Sequence, residues 1–451
     1  MEYTLNQIAE LSGGRLHPQS IKDRLFTAVN SDSRLIKGAD TLFAALRGDN
    51  FDGHSFVADM CVEGGAIIDD ESRFCPNSIL VPSVKEALYR LAAYHRNKEL
   101  TELKVLAITG SVGKTTAKNM AHLTMEASFN CYKSAGNRNS LTGLPMEVLN
   151  VPKSCTHAVL EAGMSDPGEI AKISALIKPA AAVITNIGHS HILAFGSREG
   201  ICKEKLSILE GMETDCITLP DDPLLIKNCN TAGAVFCSVG DKSKEAYAEN
   251  IEETAHGVEF TVCYGGKKTK IALPAYGIHN VMNALLVFVA SCRMGADAEQ
   301  SATALKDFAT EGNRQNIRTT RGIKVIADCY NASPESMAAA LGVLKTSGGK
   351  RFAVLGDMLE LGEHAEKLHS LVGEKVPNSA DVLICVGSDA RYIAKSAAQK
   401  GMAEENIYLF PAAEYEKAAE LLEKLIKAGD TVLFKASNRT NIRKVMEKTQ
   451  L

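Results

Sequence analysis

Eight residues, Thr109-Gly110-Ser111-Val112-Gly113-Lys114-Thr115-Thr116, constrain this 451-residue chain more than any other stretch. They follow residues 104–109, an apolar and partly β-branched run bounded by glycine that reads as a buried parallel strand. A helical pattern begins at about Thr115. Strand, glycine-rich loop and helix in that order are what a phosphate loop requires. Glycine lets backbone N–H groups turn inward around phosphate oxygens, and the helix start adds the positive end of its dipole. Lys114 can reach the β- and γ-phosphates, and the Thr115 hydroxyl can ligate Mg²⁺. The nucleotide contacts expected from the loop are therefore Gly110, Ser111, Val112, Gly113, Lys114, Thr115 and Thr116. The general pattern Gly-x-x-x-x-Gly-Lys-[Ser/Thr] is not met in full, because Ile108 stands where its first glycine would fall.

A chain of this length predicts about three domains, and the patterns along it divide at 1–100, 101–313 and 314–451. The first segment reads as short strands at 41–46 and 66–68, a small helix at 7–11 ended by Gly13-Gly14, and a helix at 85–98 with Leu88, Leu91 and Ala92 on one face. The second continues from the phosphate loop with strands at 158–161 and 181–185, which is βαβ patterning. A hairpin follows, with strands 258–264 and 268–273 around Gly265-Gly266, and then a helix at 279–293. The third alternates strands at 324–328, 352–355, 382–386, 407–410 and 432–434 with helices. One of these, at 412–426, puts Ala418, Ala419, Leu421, Leu422 and Leu425 on one side. The expected fold is α/β throughout: a small N-terminal domain, a central phosphate-loop domain on a parallel sheet, and a Rossmann-like, doubly wound C-terminal domain. The last lacks Gly-x-Gly-x-x-Gly after its first strand, so a dinucleotide role is not indicated.

A net charge of −4 gives no basic face for nucleic acid. The longest near-apolar run, 284–290, is far too short to span a bilayer, and the first residues lack a signal-peptide pattern. The twelve cysteines never come closer than eight positions, so no Cys-x-x-Cys pair exists and reduced thiols are expected. These features predict a cytoplasmic protein, expected as a monomer.

Beyond the phosphate loop, Glu161 ends the next strand, where a carboxylate can hold Mg²⁺. Asn186-Ile-Gly-His189-Ser-His191 follows the third strand. His189 reads as a loop histidine, while the residues alone leave His191 undecided. Spacing alone makes Lys203 and Lys205 solvated lysines. Three polar loops, Asp328-Cys-Tyr-Asn331-Ala-Ser-Pro334, Gly356-Asp357-Met-Leu-Glu360-Leu-Gly362 and Lys435-Ala-Ser437-Asn-Arg439, follow strands of one sheet and are better explained by one site than by three accidents. Cys329 has no histidine partner and is not expected to be a nucleophile.

Together these residues resemble the Mur ligases, the ATP-dependent amide-forming enzymes of peptidoglycan synthesis, over essentially the whole chain. The phosphate loop is similar to the family's Thr-Gly-[Ser/Thr]-x-Gly-Lys-Thr-Thr, which accounts for the missing glycine. Gly136-Asn137-Arg-Asn139-Ser-Leu-Thr-Gly143 resembles its Gly-Asn-x-Asn-Asn-x-x-Gly, with Ser140 in place of Asn. Glu161-Ala-Gly-Met-Ser-Asp-Pro-Gly-Glu169 resembles its Glu-x-Gly-Met-Asn-x-x-Gly-Glu, with Ser165 in place of Asn. His191 stands fourteen positions before Lys205, as in the family run that pairs a metal-binding histidine with a carbamylated lysine. Tyr276-Gly-Ile-His279-Asn280-Val-Met-Asn283 resembles the helix start that implies adenine contacts from Asn280 and Asn283, and Arg314 resembles a nucleotide-contacting arginine. Asp32-Ser33-Arg34, Leu46-Arg47-Gly48 and Asp52-Gly53-His54 resemble a UDP-binding domain. The last-strand pattern Lys-Gly-Ser-Arg is altered here to Lys435-Ala-Ser-Asn-Arg439.

The resemblance implies ATP and Mg²⁺ as cofactors, with UDP-N-acetylmuramoyl-tripeptide and D-alanyl-D-alanine as the molecules joined. It implies catalytic roles for Lys114, Lys205, His191 and Asp328, with Asp328 also at the nucleotide. It implies metal contacts from Thr115, Glu161, His191 and Lys205. Substrate contacts would come from Ser33, Arg34, Arg47, Asn137, Asn139 and Asn331. Two alternatives stand beside it: a related amide ligase with another acceptor, such as a folylpolyglutamate synthase, and a phosphate-loop protein that binds nucleotide without making a bond.

Overall fold

The strand Lys104–Thr109 lies inside a nine-stranded sheet, between His157–Glu161 on one side and Pro179–Ile184 on the other. Both pairings are parallel, so the chain leaves this central strand toward neighbours on opposite sides, and a crevice opens at the strands' C-terminal ends. Register sets what meets there: Ile108 stands opposite Glu161, and Thr109 opposite Ile184. The phosphate loop, Glu161 and the segment after Ile184 therefore converge at one edge.

Residues 1–48, 51–312 and 314–451 are described by this computed structural model. The expected boundary at Asn313 lies outside the described residues. The predicted strand is buried on both faces, as an apolar run without alternation requires. Val105 and Ala107 face a core that includes Leu144, Ile170 and Ile173. Leu106 and Ile108 face Ala117, Met120 and Ala121 of the helix Lys114–Glu126, with Val281 and Leu285 of Ile278–Arg293 behind them. Beyond Pro179–Ile184 the sheet continues through Ile217–Pro220, Ala234–Val239 and Ala246–Thr254, all parallel. It ends in the antiparallel strands Gly257–Tyr264 and Lys267–Leu273, the expected hairpin.

The C-terminal sheet runs in the order Asn316–Thr320, Ile323–Asp328, Thr431–Lys435, Arg351–Gly356, Val382–Val386, Ile407–Phe410. All of its pairings are parallel except the first, a hairpin turned by Arg321 and Gly322, both at positive φ. Phe352 and Val354 pack on Ala418 and Leu422, and Ala353 and Leu355 on the opposite core. The helix expected at 412–426 begins as a short 3₁₀ turn and becomes α-helical over Tyr415–Leu425; Leu421 and Leu425 are only partly buried. The N-terminal sheet has five short strands, ordered Arg15–Leu16, Ser78–Leu80, Gly65–Ile68, Thr41–Ala44, Ala28–Asn30. The three-domain α/β expectation thus holds.

The sheets share a core. One apolar cluster contains Leu5 and Leu88, Leu149 and Ile173, and Leu341 and Leu355. The Met1 ammonium donates to the Leu149 carbonyl at 2.6 Å, and the Asn150 amide exchanges two hydrogen bonds with the Val29 backbone, each 2.9 Å. All twelve cysteines are free thiols. Among the described residues no helix is long and apolar enough to cross a membrane.

Candidate active site

The phosphate loop is shaped by how closely the next strand's end approaches it. A Cβ on Gly110 would sit 1.9 Å from the Thr185 hydroxyl, and one on Gly113 would sit 3.0 Å from the Asn283 amide. Both glycines hold positive φ, and Gly113 caps the helix Lys114–Glu126. Val112 N–H donates to Asn186 Oδ1 at 3.0 Å, and Gly188 N–H to Ser111 Oγ at 2.9 Å. The Lys114 ammonium folds over its own loop, donating to the carbonyls of Gly110 (2.8 Å) and Ser111 (3.2 Å). Anionic phosphate oxygens would be stronger acceptors for it. Burial lowers the Lys114 pKa, with Glu161 opposing the shift and Arg314 adding to it.

Glu161 is buried and held at both oxygens: Thr115 Oγ1 donates to one at 2.7 Å and Asn139 Nδ2 to the other at 2.7 Å. Gly163 leaves room for Asn139, since a Cβ there would meet its amide oxygen at 2.7 Å. Sequence reasoning missed Lys118, one turn after Lys114. It is buried 3.8 Å from Glu161 and donates to the Gly136 carbonyl at 2.7 Å. Among the described residues no three His, Cys, Asp or Glu side chains gather as a metal cage. The Thr115 hydroxyl and the Glu161 carboxylate are nevertheless a hard-oxygen pair. That fits Mg²⁺, which usually takes one or two protein oxygens and completes its shell with water and phosphate.

Burial decides between the two lysines. Lys203 is exposed, whereas Lys205, on the helix Arg198–Leu206, is 1% exposed and its ammonium finds only the Met164 sulfur, at 3.6 Å. Burial, reinforced by Lys114, pushes the Lys205 pKa well below that of an ordinary lysine. The solvated reading that spacing alone favoured is corrected: a charge cannot be left there unpaired. His191 sits at φ 65° with Nδ1 3.3 Å from Glu360 of the C-terminal domain. Burial, then Lys114, lowers its pKa. His189, expected as an ordinary loop residue, instead pairs with Glu335 of the C-terminal domain.

The opposite wall carries Asp328, whose carboxylate meets Lys435 Nζ at 2.6 Å; Lys435, 1% exposed, also donates to the Asn331 carbonyl at 3.1 Å. Gln315 joins the walls. Its N–H donates to Asp328 at 3.3 Å, its amide oxygen accepts from Asn280 at 2.6 Å, and its amide nitrogen lies 3.3 Å from His279 Nε2. Burial holds the His279 pKa down to about 4, against a smaller opposing effect of Asp328 and with help from Lys435. The Arg314 guanidinium lies 3.8 Å above the Tyr330 ring. His279 and Lys435 lie within stretches that the sequence singles out, though it assigns neither a role there; Gln315 carries no motif signal at all.

One cleft of about 390 Å³ collects Ser111, Val112, Gly113, Lys114, Thr115, Thr116, Asn137, Asn139, Glu161, His191, Asn280, Asn283, Arg314, Asp328 and Asn331. Gly110 and Lys205 stand just behind it, against Lys114 and Met164 respectively. Ser33, Arg34 and Arg47 lie outside it, in the N-terminal domain. Arg34 forms a two-point pair with Asp32, and Arg47 reaches Asp52, Asp69 and Asp70. The second of the three polar loops divides its roles: Asp357 accepts the N–H groups of Ser388, Asp389 and Ala390, capping the helix Ala390–Gln399, while Glu360 faces His191. In the third, the buried Lys435 reaches the cleft while Arg439 is exposed.

Known proteins resemble this chain along nearly all of its length. The Mur ligase middle domain matches residues 108–291, and the Mur ligase glutamate ligase domain matches 313–438. The chain is 35% identical to the UDP-N-acetylmuramoyl-tripeptide--D-alanyl-D-alanine ligase of Bacillus subtilis, over 98% of this chain and 97% of that one. It is 31% identical to the ligase of the same name from Escherichia coli, over 87% and 88%. Among solved structures, MurF from Acinetobacter baumannii superposes with a TM-score of 0.86 at 28% identity, covering 100% of this chain and 99% of that one. MurF ligase from Thermotoga maritima, solved in complex with ADP, gives 0.80 at 27% identity, covering 94% and 97%.

Proposed function

This chain belongs to the Mur ligase family, and from that premise we propose that it joins D-alanyl-D-alanine to UDP-N-acetylmuramoyl-tripeptide at the expense of ATP, in peptidoglycan precursor synthesis. The observation that carries the reading is the two-walled cleft, with the phosphate loop and Glu161 on one side and Asp328 to Asn331 on the other. The tripeptide's terminal carboxylate attacks the γ-phosphorus of ATP, giving an acyl phosphate and ADP. The amine of the dipeptide then attacks the acyl carbon, losing a proton as the amide forms and phosphate leaves.

Lys114 neutralises and orients the phosphates. Thr115 and Glu161 would hold Mg²⁺, which supplies positive charge at the phosphate oxygens. Asn139 fixes the carboxylate that does so. A neutral, buried Lys205 can add CO₂ and release a proton, becoming an anionic carbamate beside His191, which would give this buried position an oxygen donor suited to Mg²⁺. Asn280, Asn283 and Arg314 would contact the nucleotide, with Asp328 beside it. Asn137, Asn139 and Asn331 would contact the peptide parts, and Ser33, Arg34 and Arg47 the UDP end. Water kept out of the closed cleft cannot hydrolyse the acyl phosphate.

The three sheets support the division at 1–100, 101–313 and 314–451, and one chain furnishes both walls, so a monomer suffices. Use of ATP and a nucleotide-linked substrate, together with twelve unpaired thiols, supports a cytoplasmic location. The experiment is isotopic. With the tripeptide's terminal carboxylate labelled with ¹⁸O, the released phosphate must carry one labelled oxygen. Unlabelled phosphate accompanying amide formation would refute the acyl phosphate.

A further inference from the structure

We propose that Glu335 is a positioning residue that fixes the loop carrying His191 against the C-terminal domain, and so sets the distance between the acyl phosphate and the attacking amine. This rests on the reaction proposed above. Glu335 does not line the cleft. It sits in the first turn of the helix Pro334–Lys345, which starts three positions after Asn331. That turn is rigid, because Pro334 presets its first residue and Ser333 and Ser336 cap it reciprocally.

Glu335 Oε1 faces both the backbone N–H of His189, at 3.1 Å, and its ring Nδ1. Two donors from one residue converge on one acceptor, which fixes the loop in direction as well as distance. Gly188 makes the approach possible: a Cβ there would lie 2.7 Å from the carboxyl carbon of Glu335 and from its second oxygen. That second oxygen is buried and has no hydrogen-bond partner. An unpaired buried oxygen is costly, so the placement is sustained by the two bonds at Oε1.

The other end of the same peptide is pinned too, since Gly188 N–H donates to Ser111 of the phosphate loop. A short path therefore runs from the phosphate loop through Gly188 and His189 to Glu335, and from there to Asn331. Two lesser contacts flank it: His191 meets Glu360, and the Leu193 side chain packs on Gly362, where a Cβ would lie 2.7 Å away.

The test compares Glu335→Ala, Glu335→Gln, His189→Ala and the double variant Glu335→Ala/His189→Ala. Readouts are kcat, KM for D-alanyl-D-alanine, ATP affinity, and ADP released per amide formed. Glutamine keeps an oxygen that can accept both bonds, so Glu335→Gln should stay within about threefold of the parent. Glu335→Ala should lose about tenfold or more in kcat, as misplacement of reacting groups does. It should also release excess ADP while ATP affinity holds within about twofold. His189→Ala should match it, and the double variant should be no worse than either single change, because the pair acts as a unit. Normal coupling in Glu335→Ala, equal damage in Glu335→Gln, or effects that multiply in the double variant would each overturn the proposal. Small-angle scattering with ADP and Mg²⁺ separates this from the reaction itself. Glu335→Ala should show a larger radius of gyration than Glu335→Gln, whatever the acceptor proves to be. Equal radii would overturn the positioning role, whereas a parent protein that makes no amide from these substrates would overturn only the reaction.

Discussion

Thr115 Oγ1 lies 2.7 Å from Glu161 Oε2, so the hydroxyl after the phosphate-loop lysine and the carboxylate ending the neighbouring strand meet at one point. Their approach follows from parallel pairing of adjacent strands with Ile108 opposite Glu161. It brings two hard oxygen donors to the place where triphosphate charge must be neutralised.

Glu161→Gln removes the negative charge while keeping the shape. Turnover should fall by about a hundredfold or more, in line with the loss of a key electrostatic group, and the residual activity should need more Mg²⁺. Asn139→Ala frees one carboxylate oxygen and should cost less. Turnover measured against Mg²⁺ concentration checks both; an unchanged Mg²⁺ requirement in Glu161→Gln would remove the carboxylate from the metal site.

Lys205→Ala should abolish most activity and recover part of it when short carboxylic acids are added, because they can replace the missing oxygen donor. Lys203→Ala should be nearly normal, since Lys203 is exposed. Rescue of Lys203→Ala instead would move the assignment two residues.

Asp328 partners the buried Lys435 at 2.6 Å. Asp328→Ala leaves that cation without its counter-charge and should destabilise the protein by about 3 kcal/mol, as loss of one member of a buried pair does. Lys435→Met, which removes the charge to be paired, should cost less. Urea unfolding of the two variants decides; equal losses would mean that the pair's burial is not what Asp328 answers.

Two of the histidines that burial holds below their ordinary pKa, His95 and His279, contribute to acid stability. Burial holds His95, fully enclosed beside Tyr3, down to about 4, with the chain's ammonium lowering it further and Glu99 opposing. His279 is likewise held to about 4. An unfolded histidine titrates near 6.5. Between those values the unfolded chain binds more protons, so stability present above about pH 6.5 should fall as pH drops toward about 4. His95→Gln should flatten that decline, measured as the urea midpoint against pH. An unaltered slope would assign the acid loss to other groups.

Much of this was legible before any coordinates. Buried parallel strands announce themselves as apolar runs, and Lys104–Thr109, Val382–Val386 and Ile407–Phe410 fall where the residues put them. Strands such as Cys131–Lys133 and Asn316–Thr320 escaped, being short, or at an edge and only half-buried. The phosphate loop and Glu161 were readable because their chemistry is local. Lys205 was legible only through the resemblance that pairs it with His191, because residue spacing by itself does not show which of two nearby lysines the fold buries. Asp357 looked like a site residue and proved to be a helix cap, since the same polar loop chemistry serves both ends. Glu335 and Gln315 act across a domain boundary, and no spacing within one segment encodes such a contact.

The most direct measurement is ADP release by the purified protein with Mg-ATP, D-alanyl-D-alanine and a UDP-N-acetylmuramoyl-tripeptide, omitting one component at a time and using tripeptides with lysine or diaminopimelate at the third position. Release that requires both the tripeptide and the dipeptide, with one amide formed per ADP, is the predicted result. Equal release without D-alanyl-D-alanine, or none from protein that binds ATP, would contradict the account.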